Sequence, residues 1–330
     1  MDQIGSITER VLAQVNAKRA VSDERVYVDG KITEPGIYND VDIERYHNDT
    51  ALFDRWSISS SGLKMLIERP SLYWAHCPFN ENRQPAPDTQ PLKFGRAAHM
   101  LLLGEMGFWD RYVKRPNKAP DGRDWNGNNL SCREWLSKQE ATGKWVITQA
   151  DLDTIKYMAE SLAKDPVIRD TGVLNGRIER TMVTHIGSVA LRARPDSMPI
   201  SDGNFGDLKT AADLSDDALQ KAVSNNGLHI QAASVRRVAR DVMPAPFEFG
   251  EYVLVFCEKT PPYDIRVMVL KEHDIDLGER QLTQGLKTLE RCISENHWPG
   301  VSGWDGDAGF LEMPSWARTR IENSLIGENA

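Results

Sequence analysis

The sequence predicts a single α/β domain with an N-terminal elaboration, and three observations carry that reading. The chain has 330 residues, 40% hydrophobic and 27% charged, ample material for one large core and ordinary for a globular protein. Apolar residues recur at helical spacing as far as about residue 164, and the period then changes to that of strands from about Ile178. Turn clusters separate those strands, and helices resume after Lys209. No internal repeat or linker divides the chain. The expected organisation is an extension over 1–35 and one domain over 36–330.

Taken in order, Ile4, Ile7, Val11, Leu12 and Val15 mark a peripheral amphipathic helix within residues 1–24. Val26-Tyr27-Val28, Asp29-Gly30 and Lys31-Ile32 read as a small hairpin. The serines from Ser57 to Ser61 cap a helix through Leu63, Met65, Leu66 and Ile67 that stops at Pro70. Pro85 to Pro91 is a polar loop, and Phe94 to Leu103 an apolar helix. Arg111 to Asn129, rich in Lys, Arg, Asn, Gly and Pro, predicts a long mobile loop. In it Lys114, Arg115, Lys118 and Arg123 are candidates to grip DNA, with Trp125 to stack on a base, beside the plainer reading of solvated charge. Helices follow over 132–140 and, entered through Thr148, over 149–164. Arg180–Ile186 and Ser188–Ala193 flank a hairpin turn at Gly187. Ser201 to Asn204 is a turn before the strand Phe205–Lys209. Ser215 opens a helix to Val223, and another spans 228–242. Glu251–Glu258 and Ile265–Leu270 are strands around a Pro261–Asp264 turn. A long helix over 272–295 precedes a loop tail, 299–315.

The net charge of −8 argues against a surface that binds nucleic acid everywhere, but a DNA enzyme needs only a local positive channel. Cys77, Cys132, Cys257 and Cys292 are far apart with no C-x-x-C spacing, which favours free buried thiols over zinc or iron–sulfur ligands. No apolar run approaches the roughly 20 residues of a membrane span, and Met1-Asp2-Gln3-Ile4 lacks a secretory signal's basic and apolar regions. The expectation is a cytoplasmic protein, bacterial or in a phage host.

The chemistry concentrates in Ala193-Arg194-Pro195-Asp196 and, eleven residues after Asp196, Asp207-Leu208-Lys209. On a strand, Asp207 and Lys209 project from one face, and the intervening turn puts Asp196 on the neighbouring strand of a hairpin-like unit. Carboxylate oxygens are hard ligands suited to Mg²⁺ or Mn²⁺, which can neutralise a scissile phosphate and acidify a water. A lysine beside them can orient that water. The pattern resembles the metal-binding core of a PD-(D/E)xK nuclease; taken alone it is a weak signal, since D-x-K recurs by chance and a solvated strand end explains it more simply.

Further stretches, in one order, resemble the C-terminal nuclease domain of the exodeoxyribonuclease VIII (RecE-type) family. They are Gly36-Ile37-Tyr38-Asn39-Asp40 with Tyr46-His47, then Ile58-Ser59-Ser60-Ser61, then Pro70-Ser71-Leu72-Tyr73, then Phe94-Gly95-Arg96-Ala97-Ala98-His99. Thr142-Gly143-Lys144, Ile147-Thr148, Ile178-Glu179, Arg194-Pro195-Asp196 and Asp207-Leu208-Lys209-Thr210 follow. His229-Ile230-Gln231, Trp298-Pro299 and Pro314-Ser315-Trp316-Ala317 complete the set, so the likeness runs from about Gly36 to Trp316.

The resemblance implies a PD-(D/E)xK fold, a central mixed sheet flanked by helices. It implies a Mg²⁺-dependent exonuclease that digests one strand of duplex DNA from a 5′ end, works as a homo-oligomeric ring, and passes a 3′ single strand to an annealing protein. Asp196 and Asp207 are the implied metal ligands, with the Leu208 carbonyl, His99 and Glu179 beside them, and Lys209 the residue that positions the nucleophilic water. For His99 a hydrogen-bonded core histidine is the competing reading, and for Glu179 an exposed strand end. Gln231 matches a Q-x-x-x-Y element near the scissile phosphate, but Val235 stands at its tyrosine position, which leaves that helix's role in doubt. Arg236, Arg237 and Arg240 on the same helix, with Arg194, are candidate phosphate contacts, or for the helix a solvated face. The rivals are an endonuclease or single-strand exonuclease on the same core, and a catalytically weak scaffold that binds DNA ends.

Overall fold

The computed structural model describes residues 23–84, 89–200, 203–304, 306 and 309–327. The residues Ile4 to Val15, which carry the expected N-terminal helix, lie outside them, as do parts of the loops at Pro85 and Ser201. Strand β1 (Glu24–Val26) runs parallel to β2 (Gly36–Asn39) and does not fold back on Lys31-Ile32. The expected hairpin is thus corrected: Asp29 Oδ1 accepts the Gly30 N–H locally, and Ile32 bridges Phe53. Helix α1 (Ile43–Asn48) is capped by the Asp42 carboxylate. Strand β3 (Trp56–Ser59) leads into α2 (Ser60–Glu68), with Ser59 as the predicted cap.

Pro70 ends α2 but also opens α3 (Pro70–His76), since proline in a first turn forfeits no intrahelical hydrogen bond. For the same reason Pro91 lies inside α4 (Gln90–Leu102), which starts earlier than its apolar spacing suggests. After α5 (Phe108–Arg111), β4 (Tyr112–Lys114) pairs with β5 (Trp145–Ile147), so the predicted long loop begins as a strand. The rest of it is tied down: Lys118 bridges Asp124, Arg115 lies 5.1 Å over the Trp125 ring, and Trp125 meets Trp135 edge-on. Trp125 packs on protein rather than standing ready for a base.

Helix α6 (Leu130–Ala141) precedes β5, and α7 (Gln149–Lys164) starts at Thr148 in a reciprocal capping box with Asp151. Helix α8 (Pro166–Thr171) and β6 (Arg177–Ile178) have no counterpart in the sequence reading. The hairpin β7 (Thr181–Ile186) and β8 (Val189–Ala193) turns at Gly187 as predicted. Then come β9 (Ser197–Met198), β10 (Phe205–Ala211), α9 (Asp216–Asn225), α10 (Leu228–Val242), β11 (Tyr252–Glu258), β12 (Ile265–Val269), α11 (Glu272–Glu295) and α12 (Ser315–Gly327).

One sheet has the order β1-β2-β7-β8-β3 and the other β12-β11-β10-β9-β6. In the second, β10 and β11 run parallel between antiparallel neighbours, the mixed sheet that the resemblance implies. A strand buried on both faces reads as an apolar run. Tyr252, Leu254 and Phe256 of β11 accordingly join the main core with α10 and α11, while Val253, Val255 and Cys257 pack on the other face with Met158 and Leu162. The same alternation puts Phe205 in the main core and Leu208 behind it, so Asp207 and Lys209 share the face of Phe205. At Gly206 a Cβ would stand 2.5 Å from the Val173 carbonyl oxygen, which is why an aliphatic side chain does not fit there.

The described part of the 1–35 stretch is tied into this body. Beyond the β1–β2 pairing, Arg177 meets Asp23 and Glu24 at 3.2 and 3.1 Å, and Arg180 meets Glu24 at 2.9 Å. Among the described residues no helix is long and apolar enough to cross a membrane. All four cysteines are free and buried.

Candidate active site

Strand β10 holds Asp207 fully buried at the middle of the mixed sheet. Gln231 Nε2, from the first turns of α10, donates to Asp207 Oδ1 at 2.7 Å. Lys209 Nζ lies 2.5 Å from Asp207 Oδ2. Burial pushes the Asp207 carboxyl up, against the pull of Lys209. Burial also works to lower Lys209, but the charges of Asp207 and Asp196 outweigh it and raise its pKa, so the ammonium stays protonated.

Asp196 reaches the same place from the segment before β9. Its Oδ2 accepts the Leu208 N–H at 2.7 Å and faces His99 Nδ1, on α4, at 3.4 Å. The N–H and C=O of one strand residue leave on the same edge, so the Leu208 carbonyl also looks toward Asp196. Burial opposes ionisation of Asp196, yet His99, Lys209 and the Leu208 N–H together hold its pKa below the usual carboxylate range. Burial likewise works against the His99 imidazolium, and the Asp196 charge reverses the balance and raises it.

Glu179 completes the group. Its ligand oxygen and those of His99 and Asp196 lie within 4.8 Å of one another. Glu179 has φ +55°, a left-handed backbone that non-glycine residues seldom adopt, and its N–H donates to the Asp196 carbonyl. That conformation turns its side chain at the joint between β6 and β7. Arg194 Nε pairs with Glu179 Oε2 at 2.7 Å. Burial and the charges of Asp196 and Glu105 outweigh Arg194, and the Glu179 pKa rises to about 8. Crowded carboxylates, Asp196 readily ionised and Glu179 and Asp207 with raised pKa values, form with the neighbouring imidazole and backbone carbonyl a donor set that fits a hard divalent cation.

Three neighbours escape the sequence reading. Glu105, just past α4, has its pKa raised by burial and lies within the fields of Arg194, Arg111, Asp196 and His99. Lys64 on α2 lays its stem over Gly227, where a Cβ would come within 3.0 Å of Lys64 Cδ, one helical turn from Gln231. Burial, then Lys209, lowers the Lys64 pKa to about 8. Tyr252 of β11 buries its hydroxyl next to Asp207 and Gln231, and Val235 is an apolar core residue. All three arrive through tertiary contacts, with no local sequence signal to mark them.

The arginines are dispersed. Arg194 borders the acidic group and also donates to the Val41 carbonyl. Arg236, expected as a phosphate contact, is corrected: it is 2% exposed, and its guanidinium meets Glu279 at 2.6 Å and Asp276 at 2.5 Å. Arg240 shares Glu279, and Arg237 is exposed. The acidic ridge of α11 neutralises one side of this helix, so the three do not form one basic clamp.

The sequence profile of a PDDEXK-like domain of unknown function (DUF3799) matches residues 59–304, well over half of the chain and inclusive of every residue of this cluster. The chain belongs to that PDDEXK-like family. A crystal structure of a candidate exonuclease from Eubacterium rectale shares the fold at a TM-score of 0.53 and 13% identity, over 85% of this chain and 98% of the other. Two further structures align less well. An alkaline exonuclease from Laribacter hongkongensis aligns at 0.25, 14% identity, 52% of this chain and 86% of that one. A phage-related exonuclease from Haemophilus somnus aligns at 0.30, 12%, 74% and 97%. Among curated proteins no sequence matches. The mixed sheet flanked by helices is the fold of a PDDEXK-like domain.

Proposed function

We propose that this PDDEXK-like chain is a metal-dependent DNA exonuclease that digests linear duplex from the 5′ end and leaves a 3′ tail for strand annealing. The observation that carries the reading is that His99, Glu179 and Asp196 bring ligand atoms within 4.8 Å of one another, with the Asp207–Lys209 pair on the strand tied to Asp196 through the Leu208 N–H. The RecE-type likeness supplies the polarity, the homo-oligomeric ring, the annealing partner and a working unit over 36–330.

His99, Glu179, Asp196, Asp207 and the Leu208 carbonyl would hold Mg²⁺, or Mn²⁺ in its place. Bound there, the ion neutralises charge on the scissile phosphate and acidifies a water. Lys209 orients that water and adds positive charge where the phosphorane-like state builds negative charge. Gln231 fixes the Asp207 carboxylate through its 2.7 Å hydrogen bond, and Lys64 adds a second ammonium field beside Lys209. Arg194 holds Glu179 in place.

Incubation of labelled linear and covalently closed duplexes with Mg²⁺ tests the reading. Release of 5′-mononucleotides from linear DNA alone is the expected result. Cutting of closed circles at a comparable rate would indicate an endonuclease, and tight binding to ends without hydrolysis a scaffold.

A further inference from the structure

Tyr252 carries a hydroxyl that the packing of the core does not require. Its side chain is fully buried and stands opposite Phe205 in the parallel β10–β11 register, on the face of the sheet that also carries Asp207. Leu254 is the direct partner of Asp207, and Tyr252 lies two residues before it on that face. The ring joins the main core with Phe205, Leu254 and Val235. A phenylalanine would fill the same space.

The hydroxyl ends among polar groups. It lies next to Asp207 and the Gln231 amide, yet among the described residues its oxygen completes no hydrogen bond. Asp207 Oδ2 accepts none either, and meets the Lys209 ammonium as an ion pair. Burial and the charges of Asp207 and Asp196 raise the phenol's pKa well above its ordinary value, so it stays neutral and able to donate. A donor and an acceptor left open beside each other in a dry interior are complementary, and leaving either unmade is costly. Gln231 Nε2 already holds the other oxygen, Asp207 Oδ1, at 2.7 Å. One turn further along α10 stands Val235, apolar and buried, which offers the carboxylate no polar contact.

We propose that Tyr252 is a positioning residue for the metal centre: its hydroxyl, together with the Gln231 amide, fixes the orientation of the Asp207 carboxylate. The inference rests on the nuclease reading above, in which Asp207 is a metal ligand. A carboxylate held by two donors gives up less freedom when an ion binds, so the phenol acts on metal affinity through Asp207.

The test compares the full-length parent with Tyr252→Phe, Gln231→Leu and the double variant. Mn²⁺ affinity is read without DNA from the electron paramagnetic resonance of the free ion, and melting is followed in EDTA. Tyr252→Phe should bind Mn²⁺ about tenfold more weakly, as expected for loss of a group that orients a ligand. It should melt no lower than the parent, because the ring stays and an open buried hydroxyl is gone. In the Gln231→Leu background the same substitution should change Mn²⁺ affinity little, since the two donors act on one carboxylate as a unit. Hydrolysis of linear duplex by Tyr252→Phe should fall at limiting Mn²⁺ with unchanged KM for DNA, and recover at saturating Mn²⁺. Parent-like Mn²⁺ affinity in Tyr252→Phe, whatever its melting temperature, would overturn the proposal. An undiminished loss in the Gln231→Leu background would do the same. Mn²⁺ binding that depends on Tyr252, without hydrolysis of any duplex by the parent, would defeat the nuclease reading and leave the positioning role standing.

Discussion

The Leu208 N–H donates a 2.7 Å hydrogen bond to Asp196 Oδ2, and this bond locks together two chain segments twelve residues apart. It forms because Ser197 and Gly206 pair across β9 and β10. Asp196 therefore has a structural duty beside its place in the donor set. Asp196→Ala should abolish cleavage and also destabilise the fold by about 1–3 kcal/mol, since the Leu208 N–H is left buried and unpaired. Asp196→Asn, whose amide oxygen still accepts, should lose activity with little change in melting temperature. Equal melting of the two variants would show that the bond carries no stability.

Lys64 should matter to turnover without mattering to the fold. Its ammonium shares the field of Lys209 over Asp207. Lys64→Met keeps the stem that packs on Gly227 and should reduce kcat about 100-fold, the size expected for one lost electrostatic contact to the transition state. Unchanged kcat with folded protein would remove Lys64 from the mechanism.

The sequence made the strand carrying Asp207 and Lys209 legible because alternation and turn residues are local signals, and the β7–β8 hairpin and the Thr148 cap were legible for the same reason. Pro70 stops α2 as expected, but the start of α3 there and of α4 around Pro91 went unread, because proline's fixed φ and missing N–H also suit a helix's first turn. Arg236 misled because its neutralising partners lie some forty residues away on α11. Glu105, Lys64 and Tyr252 reach the centre only once helices and strands have packed, and no spacing rule encodes that.

The pH dependence of the metal-free protein follows from Glu179. Its folded pKa of about 8 lies above the ordinary 4.5, so between those values the native state holds a proton that the unfolded chain has released. Stability should therefore fall as pH rises from about 4.5 to 8, by at most about 1.4 kcal/mol per unit. Glu179→Gln should flatten that decline in a melting series with EDTA. Metal affinity should move the opposite way, rising toward pH 8 as the carboxylate is freed. A metal-free stability that climbs over this window would contradict the crowding of Glu179, Asp196 and Glu105.

Glu279 separates structure from DNA contact on α10. Glu279→Ala leaves the buried Arg236 with Asp276 as its remaining acid and should cost about 1–3 kcal/mol. Arg236→Met, of similar bulk and without charge, should be tolerated and should leave the salt slope of DNA binding unchanged. A slope reduced by about one in Arg236→Met would restore this arginine as a phosphate contact.

The most direct measurement compares linear duplexes blocked at the 5′ or at the 3′ end, digested with Mg²⁺ or with EDTA, by the parent and by Lys209→Ala. The account predicts metal-dependent loss of only the strand with an accessible 5′ end, absent in the variant. Hydrolysis that persists in Lys209→Ala, or none by the parent under any condition, would contradict it.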